Sequence, residues 1–530
     1  MGKNKGKPRN GGEVGTSSKG GGGASGSSAF FGSRGVLIAF VGVGIAVGLQ
    51  FALTAGYLSP PSAPSRSGLR STDAKKKASD KRSLPPAICP EDWKECPKVA
   101  GIDWVALEAA EASPHAMPSF EALAGCHAPS TLLSPRKVPG MHLLCVLPPP
   151  AGADAPAAVS TVAIFAHMDG RTATSPSAVL LLPKLKKAEH AVAAVARKLR
   201  FRRKGPLYQP AAIFNERGIR LKTASLLAFG GGAGGAGGEG GEGGARRLLC
   251  MEGGQWLWPP VDVGHVHEIA DLTAPGVITR VVTVSLQPLV VEVENFLNLE
   301  EAQHIVERAK PHMAKSGVAL KDVDRGKAAK EFRTSSQYFL PTTRDALLER
   351  VDKRVMELTR IPISHAEYIQ VLRYNHLEHY SAHHDFFDPA AYASNAEMLA
   401  SVEHGAKNRM ATVFFYLNNV TNDADVTKGG GQTNFPRAAT TEFPNGGPQP
   451  RDYFDCSKGL SVYPQAGKVI IFYSMLPNGE MDDYSLHGGC DVLDEQATKW
   501  SANFWLWNKP YHFMDPARQR ATQELMDGWL

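Results

Sequence analysis

The hydrophobic pattern divides the chain into stretches of different kinds. Residues 1–34 are rich in Gly, Ser and Lys, with almost nothing apolar to bury, and are expected to be a disordered basic tail on the cytosolic side. Gly35 to Leu58 then runs without a charge. Its 24 residues are enough to cross a bilayer as a helix, and the long leader argues for an uncleaved signal anchor over a signal peptide. Residues 59–86, a Pro/Ser/Lys stretch, read as a stem. The large remainder is then expected to be lumenal, in the endoplasmic reticulum or Golgi of a single-pass type II protein.

Residues 87–276 give a weaker pattern. They hold short apolar runs at Val159 to Ala166 and Ala178 to Leu182, a basic amphipathic helix candidate at Lys184 to Lys204, and a Gly-rich loop over residues 230–244. Nothing in this region has catalytic spacing, and it is assigned no function. The texture changes from Val277. Val277 to Val293 reads as strands; Asn298 with Glu301 forms a capping box, and Ala302, Ile305, Val306, Ala309 and Met313 follow at helical spacing. Leu347 to Leu358 is a second helix. Strands are predicted at Tyr368 to Tyr374, Met410 to Leu417, Val469 to Ser474 and Trp500 to Trp507. A few helices followed by many strands predict an all-β core with supporting helices, a sandwich or barrel over residues 277–510; residues 511–530 are expected to form a helical tail.

Charge and cysteine content refine this picture. The net charge of +6 is local, because residues 1–82 carry 13 Lys/Arg and 3 acids, or +10, leaving −4 for the rest. The part after residue 82 is therefore not a basic nucleic-acid binder, and the basic runs read as membrane flanks for residues 35–58. Seven cysteines (89, 96, 126, 145, 250, 456 and 490) have no zinc spacing. In an oxidising compartment Cys89 and Cys96 form the easiest local loop, and the odd count leaves one thiol over. Asn419-Val420-Thr421 is the one N-x-S/T site in the chain.

Candidate chemistry centres on Tyr374 to Phe387. Alternation along a strand puts His383 and Asp385 on one side and turns His384 away. One imidazole and one carboxylate are two members of the 2-His-1-carboxylate triad that binds non-haem Fe(II), so a distant His is required. His487 supplies one about 100 residues on, and Lys499 stands twelve residues beyond it at the start of a strand. That order suits a double-stranded β-helix that binds iron and 2-oxoglutarate. The keto acid chelates the metal, and its far carboxylate needs a cation in a dry pocket.

Residues 288–508 resemble the catalytic domain of the prolyl 4-hydroxylases, nearest the compact plant and algal type. The resemblance rests on Asn295-Phe296-Leu297, Ala309 to Met313, Arg333 to Ser336, Gln370 to Tyr374, Gly430 to Pro436, Gly459 to Val462, Ser485 to Cys490 and Lys499-Trp500, in family order. It implies a jelly-roll, cupin-like fold, with His383, Asp385 and His487 as iron ligands and Lys499 as the 2-oxoglutarate anchor. Tyr374 and Thr433 would sit beside the co-substrate, and Arg409 and Trp505 near the peptide groove. The implied reaction hydroxylates proline in a polypeptide, releases succinate and CO2, and uses ascorbate to rescue uncoupled turnovers. A lysyl or other peptidyl hydroxylase is the enzymatic alternative. An inactive peptide-binding member is disfavoured by the intact ligands and lysine. Departures from the family pattern are Leu377 for Gly, Gln432 for Glu or Ala, Lys468 for Asp, Asp491 for Pro, two extra residues between His487 and Lys499, and longer loops at Pro389 to Asn408 and Asn422 to Lys428.

Overall fold

A computed structural model describes residues 138–147, 162–167, 178–182, 188–199, 201, 211–221, 246–439 and 455–511. The segment Gly35 to Leu58, the stem, the loop 230–244, Cys89, Cys96 and the expected tail beyond Tyr511 lie outside the described residues. Among the described residues no helix is long and apolar enough to cross a membrane.

The poorly patterned region contains a five-stranded antiparallel sheet. Its elements are β1 (Met141–Leu147), β2 (Val162–His167), β3 (Ala178–Leu182), helix α1 (Ala188–Lys198), β4 (Ala212–Asn215) and β5 (Arg246–Met251), in the order β3-β2-β1-β5-β4. In β1, β4 and β5 alternate residues are buried on opposite faces. Leu144, Val146, Ile213, Leu248 and Cys250 pack on Ala191, Ala194 and Val195 of α1. The alternate residues Met141, Leu143, Phe214, Leu249 and Met251 join Trp256 and Trp258 in the core of the following domain. A sheet covered on both faces loses the polar alternation that marks a half-exposed strand. Helix α1 is the described part of the helix expected over Lys184 to Lys204.

The rest is a two-sheet sandwich with helices on one outer face. In chain order it comprises β6 (Val266–Ala270), β7 (Ile278–Leu286), β8 (Leu289–Glu294), α2 (Leu299–Ala309), β9 (Ala314–Lys315), β10 (Ser336–Leu340) and α3 (Ala346–Thr359). There follow β11 (Ile369–Tyr374), β12 (Tyr380–His383), α4 (Ala396–Ser401), β13 (Arg409–Tyr416), β14 (Thr433–Phe435), β15 (Leu460–Val462), β16 (Val469–Tyr473), β17 (His487–Gly489) and β18 (Lys499–Trp507). The large sheet runs β6-β7-β8-β16-β13-β18-β11-β10-β9 and the small one β12-β17-β14-β15, as a jelly-roll requires. Along β13 and β16, Val413, Phe415, Val469 and Ile471 meet Ile305 of α2 and Val351 and Val355 of α3. Their neighbours Phe414, Tyr416, Ile470 and Phe472 meet Phe435 and Val462 of the small sheet.

The expected capping box is formed: Asn298 Oδ1 accepts from the Glu301 amide at 2.8 Å, and the Glu301 carboxylate accepts from the Asn298 amide at 3.1 Å. That carboxylate also takes a two-pronged bond from Arg354 of α3, at 2.6 and 2.9 Å, so one residue caps α2 and ties it to α3.

Strand pairing and packing continue across the expected boundary at Val277. Strand β6 already belongs to the large sheet, and Trp258 donates its indole N–H to the Leu358 carbonyl of α3 at 3.0 Å. Each large apolar side chain at this junction contributes about 1.5–3 kcal/mol, against a total stability of about 5–15 kcal/mol. A chain beginning at Val277 is therefore expected to lose its cooperative thermal transition, whereas one beginning at Cys89 keeps it. Equal melting temperatures for the two would show that the junction carries no stability.

Candidate active site

The two histidines of the triad face each other as a cross-strand pair. His383 ends β12, His487 opens β17, and the antiparallel register sets them opposite, with ring centroids 4.5 Å apart. In each ring Nδ1 lies 2.9 Å from the carbonyl two residues earlier, Ser381 for His383 and Ser485 for His487. A carbonyl can only accept, so Nδ1 carries the proton in both rings and each Nε2 presents a lone pair. Both lone pairs face Asp385, whose Oδ1 is 3.7 Å from His383 Nε2 and whose Oδ2 is 3.7 Å from His487 Nε2. The three donor atoms lie within 4.8 Å of one another, the one such group among the described residues.

Asp385 arrives differently from the alternation argument. Strand β12 stops at His383, and Asp385 sits in the bend beyond it. Thr412 of β13 fixes the carboxylate there, donating its hydroxyl to Oδ2 at 2.6 Å. Burial pushes the Asp385 carboxyl up, but His487, His383, Arg409 and the Thr412 bond outweigh it and hold it at about 2. Burial, with His487 beside it, drives His383 well below its usual value, so the imidazole is neutral. Two imidazoles and one carboxylate suit a divalent iron and leave further coordination positions open.

Near this group a lysine is buried among aromatic rings. Lys499 opens β18 and pairs in register with Tyr374, the last residue of β11. It is 1 % exposed. Its Nζ lies 5.0 Å from the Tyr374 ring, 5.7 Å from Phe414 and 5.9 Å from Tyr416, and no carboxylate of the described residues forms an ion pair with it. Burial pushes its ammonium down to about 7. Gly431, at φ +66°, makes room, since a Cβ there would come within 3.2 Å of Lys499 Cδ. Thr433 is buried in the same wall, and its hydroxyl oxygen accepts from Tyr416 Oη at 2.8 Å.

The 2OG-Fe(II) oxygenase superfamily model matches residues 369–507, which contain all of these side chains. The chain is 34 % identical over 252 residues to probable prolyl 4-hydroxylase 3 of Arabidopsis thaliana, covering 47 % of this chain and 80 % of that one. The chain belongs to the prolyl 4-hydroxylase family. It is a 2-oxoglutarate-dependent dioxygenase that uses Fe(II). Probable prolyl 4-hydroxylase 10 of the same plant is 37 % identical over 225 residues, or 42 % of this chain and 70 % of that one. Among solved structures, a viral collagen prolyl hydroxylase from Paramecium Bursaria Chlorella virus-1 with 2-oxoglutarate aligns at 19 % identity and a TM-score of 0.27, over 41 % of this chain and 95 % of that one.

Arg409 and Trp505, expected near the peptide groove, stack on each other beside the metal group. The guanidinium lies 3.5 Å from the Trp505 ring and is held by Glu367 through bonds of 2.7 and 3.0 Å. Trp507 donates to the same carboxylate at 2.8 Å. The Trp505 indole N–H is buried and has no partner among the described residues. Sequence reasoning missed two further neighbours. Tyr380 stacks on His383 at 3.6 Å, and Arg333 lies over Tyr380 at 4.5 Å with its Nη2 buried and unpartnered. Arg333 stood inside the quoted Arg333 to Ser336 stretch, and only the pairing of Arg333 with Tyr380 discloses its place.

The departures from the family pattern leave the donor set intact. His379 Nδ1 lies 3.0 Å from Asp491, so the residue standing where the family has Pro engages one of the extra histidines. His376, His379 and His384 all stand outside the donor group. Lys468 Nζ lies 3.7 Å from Glu292. The long loop Pro389 to Asn408 holds α4 between two short 3-10 turns, and a further 3-10 turn ends the loop Asn422 to Lys428. Cys456 and Cys490 form a disulfide that ties the end of β17 to the segment before β15. Cys145 is also disulfide-bonded, and Cys250 is a buried free thiol.

Leu377 explains the usual glycine: its φ is +56° and it is 56 % exposed, so the position needs a left-handed backbone and no side chain. Leu377→Gly should stabilise the protein by up to about 1 kcal/mol, since relief of left-handed strain exceeds the added entropy of the unfolded chain. Urea denaturation checks this, and a loss of stability would contradict it. Thr412→Val frees the Asp385 carboxylate, and the Fe(II) concentration needed for half-activity should rise about 10- to 100-fold. An unchanged iron requirement would show that Thr412 does not orient Asp385.

Proposed function

We propose that the protein is a peptidyl-proline 4-hydroxylase in which His383, Asp385 and His487 hold Fe(II) and Lys499 anchors 2-oxoglutarate. The observation that carries this reading is the pairing of a 2-His-1-carboxylate group, both Nε2 lone pairs turned to one carboxylate, with an unpaired lysine buried among aromatic rings. A structural metal site has no use for that lysine. Iron bound there supplies oxygen activation coupled to decarboxylation of 2-oxoglutarate, giving succinate, CO2 and a hydroxylated C4 of proline.

The chain's own residues do the positioning. The Ser381 and Ser485 carbonyls hold the imidazole tautomers, and Thr412 holds the carboxylate. Lys499 neutralises the far carboxylate of the co-substrate in a pocket from which water is excluded. Thr433, bonded to Tyr416, and Tyr374, beside Lys499, line the place that carboxylate would take. Arg409, fixed by Glu367, backs Trp505, and the two stand on the side proposed for the peptide. Ascorbate serves as the reductant for turnovers that run without peptide. The disulfides support an oxidising compartment, in keeping with anchoring by residues 35–58 and a lumenal catalytic domain in the endoplasmic reticulum or Golgi.

Purified full-length protein given Fe(II), 2-oxoglutarate, ascorbate and proline-rich peptides is expected to release succinate and form hydroxyproline in equal amounts, with both lost in His383→Ala. Turnover on lysyl but not prolyl peptides would overturn the substrate. The pH dependence has a definite sign. In the free enzyme Lys499 is charged below about 7, so affinity for 2-oxoglutarate is full there and falls as pH rises through 7, by up to about tenfold per unit. Lys499→Arg, always charged, should bind with a flat profile. Flat affinity of the wild type between pH 6 and 8.5 would contradict the lowered Lys499 ammonium, and unchanged affinity in Lys499→Ala would rule out Lys499 as the anchor.

A further inference from the structure

The sequon Asn419-Val420-Thr421 falls just after β13, between that strand and the 3-10 turn Val426–Gly429. Two adjacent asparagines stand there, and they are used differently. Asn418 is engaged at both ends of its amide: Nδ2 donates to the Thr498 carbonyl at 2.7 Å and Oδ1 accepts from the Trp500 amide at 2.6 Å. Asn419 is exposed and uses only its oxygen, which accepts from the Ala466 amide at 2.8 Å; its Nδ2 has no partner among the described residues. The next residue, Val420, turns inward and packs with Leu372, Tyr374 and Val492. That inward anchor and the Ala466 bond fix the Asn419 side chain with its nitrogen free. A substituent on Nδ2 would keep the Oδ1 bond and displace no packed group. A lumenal location, which the sequon needs, has independent support in the disulfide-bonded Cys145, Cys456 and Cys490.

We infer that Asn419 carries an N-linked oligosaccharide, a conclusion that rests on the lumenal reading above. The bond forms between Asn419 Nδ2 and the anomeric carbon of a lipid-linked oligosaccharide donor. The bond from that carbon to the donor's pyrophosphate breaks; the lipid pyrophosphate leaves with the electron pair, and Nδ2 gives up one proton.

The test expresses the full chain with a carboxyl-terminal epitope in a eukaryotic cell, and makes two readings on sealed microsomes. Protease protection of the epitope reports the side of the membrane, and peptide-N-glycosidase treatment reports the glycan. Expected are a protected epitope and a one-step gain in mobility on treatment. That gain should be absent in Asn419→Gln and Thr421→Ala and retained in Thr421→Ser. A protected chain with no mobility change overturns the glycan and leaves the lumenal reading standing. An accessible epitope overturns the lumenal reading and the glycan with it. A gain that persists in Asn419→Gln overturns the assignment to this residue.

Discussion

The site depends on a single cross-strand pair, His383 opposite His487, formed where β12 and β17 run antiparallel. Without that register the two Nε2 lone pairs have no common target, and the carbonyls of Ser381 and Ser485 could not hold both rings in one tautomer. The pair sits in a small sheet of very short strands, two of them ending or beginning at a ligand, which is weak support by itself. Its rigidity comes from its surroundings. Phe472 of the large sheet packs against His487 at 4.5 Å, Phe435 does so at 5.7 Å, and the Cys456–Cys490 disulfide closes the chain three residues beyond the ligand.

A second pairing, Tyr374 opposite Lys499 at one end of the large sheet, supplies the charge. Desolvating an ammonium without a counter-ion is costly, and the aromatic rings around Nζ only soften that cost. An incoming carboxylate removes it. Under the proposed function, the co-substrate would complete an electrostatic arrangement that the folded protein leaves unbalanced. The two histidine donors sit on the small sheet and the lysine on the large one, while Asp385 lies in a bend that Thr412 of the large sheet holds.

Much of this was legible in the sequence because it follows from local chemistry. The capping box at Asn298 and Glu301, the helix after Asp345, and the strands around Val371, Val413, Ile471 and Phe504 all carry short-range signals, and they stand within a residue or two of the expected places. The order of His383, Asp385, His487 and Lys499 carried the metal and co-substrate reading. What escaped depends on long-range contacts. Strands of three residues such as Thr433–Phe435 and His487–Gly489 are too short for a periodic pattern. Asp385 was expected in a strand and lies in a bend, because a hydroxyl on a distant strand, Thr412, decides where it rests. Of the sheet from Met141 to Met251, two apolar runs are legible, and β1, β4 and β5 lack polar alternation because their residues pack on both faces. The disulfide between Cys456 and Cys490, 34 residues apart, has no sequence signal that separates it from other pairings.

The claim that metal donors and lysine serve one small molecule is tested most directly by calorimetric titration of 2-oxoglutarate into the anaerobic full-length protein, with and without Fe(II). The account predicts one equivalent bound with iron present, and an affinity lower by at least about tenfold, or 1.4 kcal/mol, when iron is withheld. Equal affinity in the two titrations would mean that the triad and Lys499 do not share a ligand, and would contradict the site described above.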